Sequence, residues 1–110
     1  MPVFTDTIAA LATPTGTSAL AVVRISGPGT REVAVAIFGA TPLPRHVRHG
    51  DYRSLSGEVL DDVLFVYFQE GRSYTGEDSL EISCHGNPFI AQKILEDLCA
   101  RGCRMAEPGE

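Results

Sequence analysis

At 110 residues, with a formal charge of -5 and 21% charged residues, the chain has the size of one domain, which on folding buries roughly 65% of the surface its unfolded form exposes. That acidic balance argues against this chain alone gripping a phosphate backbone, an affinity carried mostly by Lys and Arg. No apolar run approaches the ~20 residues of a membrane span, and the start Met1-Pro2-Val3-Phe4-Thr5-Asp6 lacks a basic end followed by an apolar stretch, so a cytoplasmic protein with no membrane partner is expected.

A first strand is expected over residues 6–13, ended by the turn formers of Thr13-Pro14-Thr15-Gly16-Thr17-Ser18. Residues 19–26 read as a buried strand of branched side chains interrupted by one charge, Arg24. A lone buried guanidinium is expensive, so Arg24 must meet a carboxylate, carbonyls, solvent or a ligand. Gly27-Pro28-Gly29-Thr30 breaks the strand and opens a helix, in which Val33, Ala34, Ile37 and Phe38 recur at helical spacing until Gly39 stops it. The glycines at 27 and 29 suggest a dinucleotide fingerprint, but Glu32 stands where its third glycine belongs, and no G-x-x-x-x-G-K-[ST] loop occurs.

Residues 40–50 read as an exposed connection, with Pro42 and Pro44 and a basic group of Arg45, His46, Arg48 and His49. Solvated loop and patch for an anionic ligand tail or RNA are both open for that group. Residues 51–55 and 60–69 look like paired strands joined by Ser56-Gly57-Glu58-Val59, and both faces of the second are apolar, which suggests a central position. A polar turn at Ser73-Tyr74-Thr75-Gly76-Glu77-Asp78 leads into another strand. There Leu80, Ile82 and Cys84 form an apolar row, and Glu81, Ser83 and His85 form a polar one. Asn87 caps a second helix with Pro88 at its first position and Ile90, Ile94, Leu95 and Leu98 as its buried stripe; near Gly102 it stops, and Cys103 to Ala106 are extended again. The expected fold is α+β, a single mixed sheet with two or three helices in the order β-β-α-β-β-β-α-β.

Chemistry concentrates on Arg24 and the polar row. Cys84 and His85 are neighbours on a strand and face opposite ways, so they make a poor nucleophile and base. Ser83 and His85 stand about 7 Å apart along the strand, too far for a hydrolytic triad, and Glu81 with His85 is too spread to chelate one metal ion unaided. Cys84, Cys99 and Cys103 are odd in number and contain no C-x-x-C pair, which suits reduced core thiols better than disulfides or zinc. Two accounts of Arg24 and Glu81 remain open on residue types alone. Each is the odd charge on an apolar strand, so they pair across the sheet as simple neutralisation, or they face a pocket. In a pocket, the carboxylate accepts paired hydrogen bonds from an amidine-like or pterin-like ring edge, and the guanidinium holds a carbonyl or carboxylate.

Several blocks together resemble one known family. Asp6-Thr7-Ile8-Ala9-Ala10-Leu11-Ala12-Thr13-Pro14-Thr15-Gly16, Val23-Arg24-Ile25-Ser26-Gly27-Pro28, the Ser73 to Asp78 turn, Glu81, His85-Gly86-Asn87-Pro88 and Arg104-Met105-Ala106-Glu107-Pro108-Gly109-Glu110 resemble, in order and across essentially the whole chain, the N-terminal domain of the MnmE (TrmE) family of tRNA-modification GTPases. The resemblance implies a fold similar to the folate domains of glycine-cleavage aminomethyltransferases. It implies binding of a one-carbon tetrahydrofolate, 5-formyl- or methylenetetrahydrofolate, and a homodimer with the folate near the dimer contact. It also implies that the full protein, with the flavoprotein partner MnmG (GidA), modifies the wobble uridine of tRNA.

Residue by residue, the resemblance makes Arg24 and Glu81 the folate-binding candidates and assigns no catalytic residue and no metal ligand. A further basic contact of the family lies shortly beyond its P-G-E block. The central helical domain and the inserted GTPase domain, with GTP, Mg and K, are likewise expected outside residues 1–110, which are then a C-terminally truncated N-terminal domain. On that reading the chain binds rather than catalyses. Two alternatives stay open: a self-sufficient one-carbon transferase using the same pocket, and a purely structural dimerisation module.

Overall fold

Strict alternation decides which side of each central strand is buried. In β2 (Leu20–Ser26), Ala21, Val23 and Ile25 are buried; in β5 (Ser79–His85), Leu80, Ile82 and Cys84 are buried; the residues between them face the other way and are half-buried or exposed. β4 (Val59–Phe68) adds Val63, Phe65 and Tyr67 to the same side. The computed structural model describes residues 7–13, 20–69 and 77–107. The turn residues 73–76, most of the 13–18 loop and residues 108–110 lie outside that set.

The remaining elements are β1 (Ile8–Leu11), α1 (Thr30–Phe38), β3 (Arg48–Arg53), α2 (Pro88–Ala100) and β6 (Arg104–Met105), in the expected order. The six strands make one sheet, β3-β4-β5-β2-β1-β6. Every neighbouring pair is antiparallel except β1 and β6, so the sheet is mixed and the fold is α+β with two helices. Val33, Ala34 and Ile37 of α1 and Ala91, Ile94, Leu95 and Leu98 of α2 join the buried side of the sheet in one core. Both helices therefore cover the same face, and the other face of the central strands carries no described element.

Local signals account for the helix boundaries. Gly39 takes φ 83° and its N–H closes on Val35 O at 2.8 Å, a left-handed stop that a side chain would resist. Asn87 Oδ1 accepts from Phe89 N at 2.8 Å, and Pro88 fills the first helical position, where a missing N–H costs nothing.

Two boundaries differ from expectation. β3 begins at Arg48 and ends at Arg53, so Arg48 and His49 belong to a strand and not to the loop. The hairpin turn starts earlier than the sequence suggested, with Gly57 N bonding Ser54 O and Ser54 N bonding Glu58 O. β4 is interior, between β3 and β5, yet only one of its faces is sealed: Leu64 remains 42% exposed. Its second apolar row lies on the open side of the sheet.

Candidate functional site

The open face is built from strand pairings that align four rows of side chains. One row runs Ala10, Arg24, Glu81, Val66; the next runs Val22, Ser83, Leu64, His49; a third runs Ile8, Ser26, Ser79, Phe68. A fourth begins with Leu20 opposite His85. The two sequence-predicted site residues thus lie directly opposite each other on the two middle strands, ringed by aliphatic and small side chains.

Arg24 donates from Nε and Nη2 to the same oxygen, Glu81 Oε2, at 3.1 and 2.7 Å. Among the described residues, Glu81 Oε1 and Arg24 Nη1 have no hydrogen-bond partner. The pair is half in solvent, with side chains 53% and 34% exposed, and an exposed ion pair of this kind contributes only about 0–1 kcal/mol to stability. Its geometry leaves one acceptor and one donor group turned to the open face. A planar group with adjacent donors can join such a carboxylate without breaking the pair.

The ends of β2 and β5 are held by the residues around them. Gly27 takes φ 134°, outside the range of ordinary side chains, and its N–H bonds Asp78 O at 3.1 Å. The Thr30 hydroxyl donates to Gly27 O at 2.8 Å and to Asp78 O at 3.2 Å, and buried Thr7 accepts from Gly29 N at 2.7 Å. The Asp78 carboxylate accepts from the Tyr67 hydroxyl, and burial followed by that bond pushes the Tyr67 phenol well above its ordinary range. Glu77 accepts from Ser26 Oγ at 3.3 Å. Together these contacts fix the register that sets Glu81 against Arg24.

The dyads that strand geometry disfavours do not form. Cys84 Sγ donates to Ala21 O at 3.6 Å in the core, where desolvation raises its pKa. His85 turns to Asp61, which takes both its ring Nδ1 and its backbone N–H at 2.8 Å. Among the described residues no group of three His, Cys, Asp or Glu side chains could hold a metal ion. Cys84 and Cys103 are buried thiols, but Cys99 is exposed, because it falls on the outer side of α2.

The basic group separates into two sides of the sheet. Arg48 opposes Phe65 on the helix side and borders a hollow of about 150 Å³ lined with Phe38, Thr41, Pro42, Asp51 and Phe65. His49 is on the open side, pairs with Asp62, and lies two strands away from Glu81. Arg45 adopts φ 63° as its N–H bonds Tyr67 O at 2.8 Å.

One polar constellation is not anticipated by the motif reading. Asp97, buried on α2, accepts from Tyr52 Oη at 2.6 Å, Arg101 Nε at 2.7 Å and Leu55 N at 2.9 Å, and Arg101 Nη2 reaches Arg53 O at 2.7 Å. The signal was present: positions 94, 97, 98 and 101 recur on one helical stripe, so Asp97 and Arg101 had to be buried with Ile94 and Leu98. Among the described residues no buried side-chain polar atom of this cluster lacks a partner, and its bonds clamp α2 to the β3–β4 hairpin.

Compared with known proteins, residues 7–110 match the family described as "GTP-binding protein TrmE N-terminus". The chain is 66% identical over 110 residues to a tRNA modification GTPase MnmE of Opitutus terrae, with all of this chain and 24% of the relative aligned. It is 43% identical over 105 residues to that of Chromohalobacter salexigens, covering 96% of this chain and 23% of the relative. With the protein of the same name from Fervidobacterium nodosum the identity is 41% over 111 residues, 96% of this chain and 24% of the relative. The chain thus spans about a quarter of the length of the curated relatives it matches.

Proposed function

Because this chain belongs to the family of TrmE N-terminal domains, we propose that it binds a one-carbon tetrahydrofolate derivative on the open face of its sheet and pairs there with a second copy of itself. In this reading it is residues 1–110 of a longer cytoplasmic GTPase that, with a flavoprotein of the MnmG type, modifies the wobble uridine of tRNA. Binding GTP, Mg and K belongs to parts of that protein other than this chain.

The observation that carries the folate reading is the placement of the Arg24 and Glu81 pair. It stands in the middle of the face that no described helix covers, between Ala10 and Val66, with Glu81 Oε1 outside the bonds to Arg24. Glu81 accepts the donor edge of the pterin, Arg24 holds a polar group of the ring or its substituent, and Val22, Leu64 and Val66 lie against its apolar surface. The bound folate supplies the one-carbon unit; this chain's own side chains bind and orient it.

Titration with 5-formyltetrahydrofolate tests the reading in wild type, Glu81→Ala and Arg24→Ala, with folding followed by circular dichroism. Loss of a charged hydrogen-bonding contact is worth about 1.5–3 kcal/mol, so each variant should bind at least about tenfold more weakly. Wild-type affinity in both variants would remove Arg24 and Glu81 from the site.

A second reading is favoured by the ion pair itself: the two charges already neutralise each other, with Arg24 Nε and Nη2 both on Glu81 Oε2, as in a structural pair at a dimer contact. Sedimentation of the two variants distinguishes it. A structural pair shifts the monomer–dimer equilibrium without any folate present, whereas a folate site shifts only ligand binding.

A further inference from the structure

Along β5 the open face presents Ser79, Glu81 and Ser83 in a line, since alternate residues share a face and lie about 7 Å apart. The two serines have unlike surroundings. Ser79 lies between Ser26 and Phe68, and Ser26 is tied to Glu77. Ser83 lies between Val22 and Leu64, half-buried, and among the described residues nothing hydrogen-bonds its hydroxyl.

A hydroxyl between two aliphatic side chains loses its water when a ring is laid over it, and an unmatched polar group is then costly. The geometry points to Ser83 as a specificity-determining residue for the ring whose donor edge Glu81 accepts, an inference that rests on the folate reading above. Its hydroxyl meets a polar atom adjacent to that edge, the arrangement of a 2-amino-4-oxo pyrimidine ring with two neighbouring donors and a carbonyl beside them. Val22 and Leu64 flank the apolar body of the same ring. The ring therefore extends from Glu81 toward the Ser83 end of β5 and away from Ser79.

The test is equilibrium titration of the protein with 5-formyltetrahydrofolate, comparing wild type with Ser83→Ala, Ser83→Thr, Ser79→Ala and Glu81→Ala. One neutral hydrogen bond predicts about a three- to tenfold loss for Ser83→Ala, with Ser83→Thr and Ser79→Ala within about twofold of wild type. Urea midpoints should be unchanged across the serine variants, as expected for substitutions on an open face. If Ser83→Ala keeps wild-type affinity while Glu81→Ala has lost binding, the role of Ser83 is overturned and the folate reading stands. If Ser79→Ala loses as much as Ser83→Ala, the ring lies toward the other end and the inference is overturned. A wild-type protein that binds no 5-formyltetrahydrofolate overturns both.

Discussion

Arg24 and Glu81 face each other across the two middle strands, 57 residues apart in sequence, and both guanidinium bonds converge on one carboxylate oxygen. A carboxylate that uses only one oxygen for its ion pair retains capacity for a ligand. A half-exposed pair also adds little to folding, about 0–1 kcal/mol. Arg24→Ala and Glu81→Gln should therefore shift the urea midpoint only slightly while folate affinity falls. A loss above about 2 kcal/mol in unfolding free energy would identify the pair as part of the scaffold, beyond what exposed pairs contribute.

The opposite pattern is expected at Asp97. Removing one partner of a buried ion pair leaves Arg101 uncompensated, so Asp97→Ala should cost about 3–5 kcal/mol, and Tyr52→Phe, which removes one of the two hydrogen bonds to Asp97 Oδ2 and leaves that from Arg101, about 1–3 kcal/mol. Chemical denaturation with the same probe in each variant reads both values. Equal, small effects would show that the clamp contributes little.

The thiols offer a pH test. Desolvation raises Cys103 from an ordinary 9.0 to about 11, and Cys84 also titrates higher in the fold than in the unfolded chain. A group with a raised folded pKa stabilises fully below its unfolded value and loses that contribution as pH climbs through the folded one. Stability should hold up to about pH 9 and then decline toward pH 11, and Cys103→Ala should flatten part of that decline. With an aromatic disulfide reagent near neutral pH, exposed Cys99 should react first, and Cys84 and Cys103 only on unfolding.

Gly27→Ala should disturb the site from a distance. At φ 134° an L side chain is strained, with a cost of about 1–3 kcal/mol, and the bond from Gly27 N to Asp78 O is one of the contacts that join the end of β2 to the start of β5. Lower unfolding free energy together with weaker folate binding is expected. Unchanged folate affinity in a folded Gly27→Ala protein would show that the Arg24 and Glu81 register does not depend on this joint.

Element order was legible in the sequence because the period changes cleanly from two in residues 20–26 and 79–85 to helical spacing in residues 30–38 and 88–100. Glu81 and Arg24 were legible as the odd charges on those strands. A strand pairing with β4 was legible over residues 51–55, but the start of β3 was not, since Arg48-His49-Gly50-Asp51-Tyr52-Arg53 buries only Tyr52 and its first residues resemble a polar loop. Edge strands are often written this way, with charges that discourage pairing to another chain. Asp61 was equally hidden: its link to His85 joins two strands, and no local pattern announces a contact over 24 residues.

The parallel pairing of Ile8 with Arg104 brings nearly opposite ends of the chain side by side. Closing so long a loop costs entropy before any contact repays it, although each doubling of loop length adds only about 0.6 kcal/mol. Order of assembly follows from this. The β3–β4 hairpin, the β1–β2 pair and the two helices form from neighbours in sequence, while β6 can dock on β1 only once the intervening chain is in place. In hydrogen exchange, amides bonded across that edge, such as Arg104 N to Thr7 O and Ala106 N to Ala9 O, should open well before those of β2 and β5.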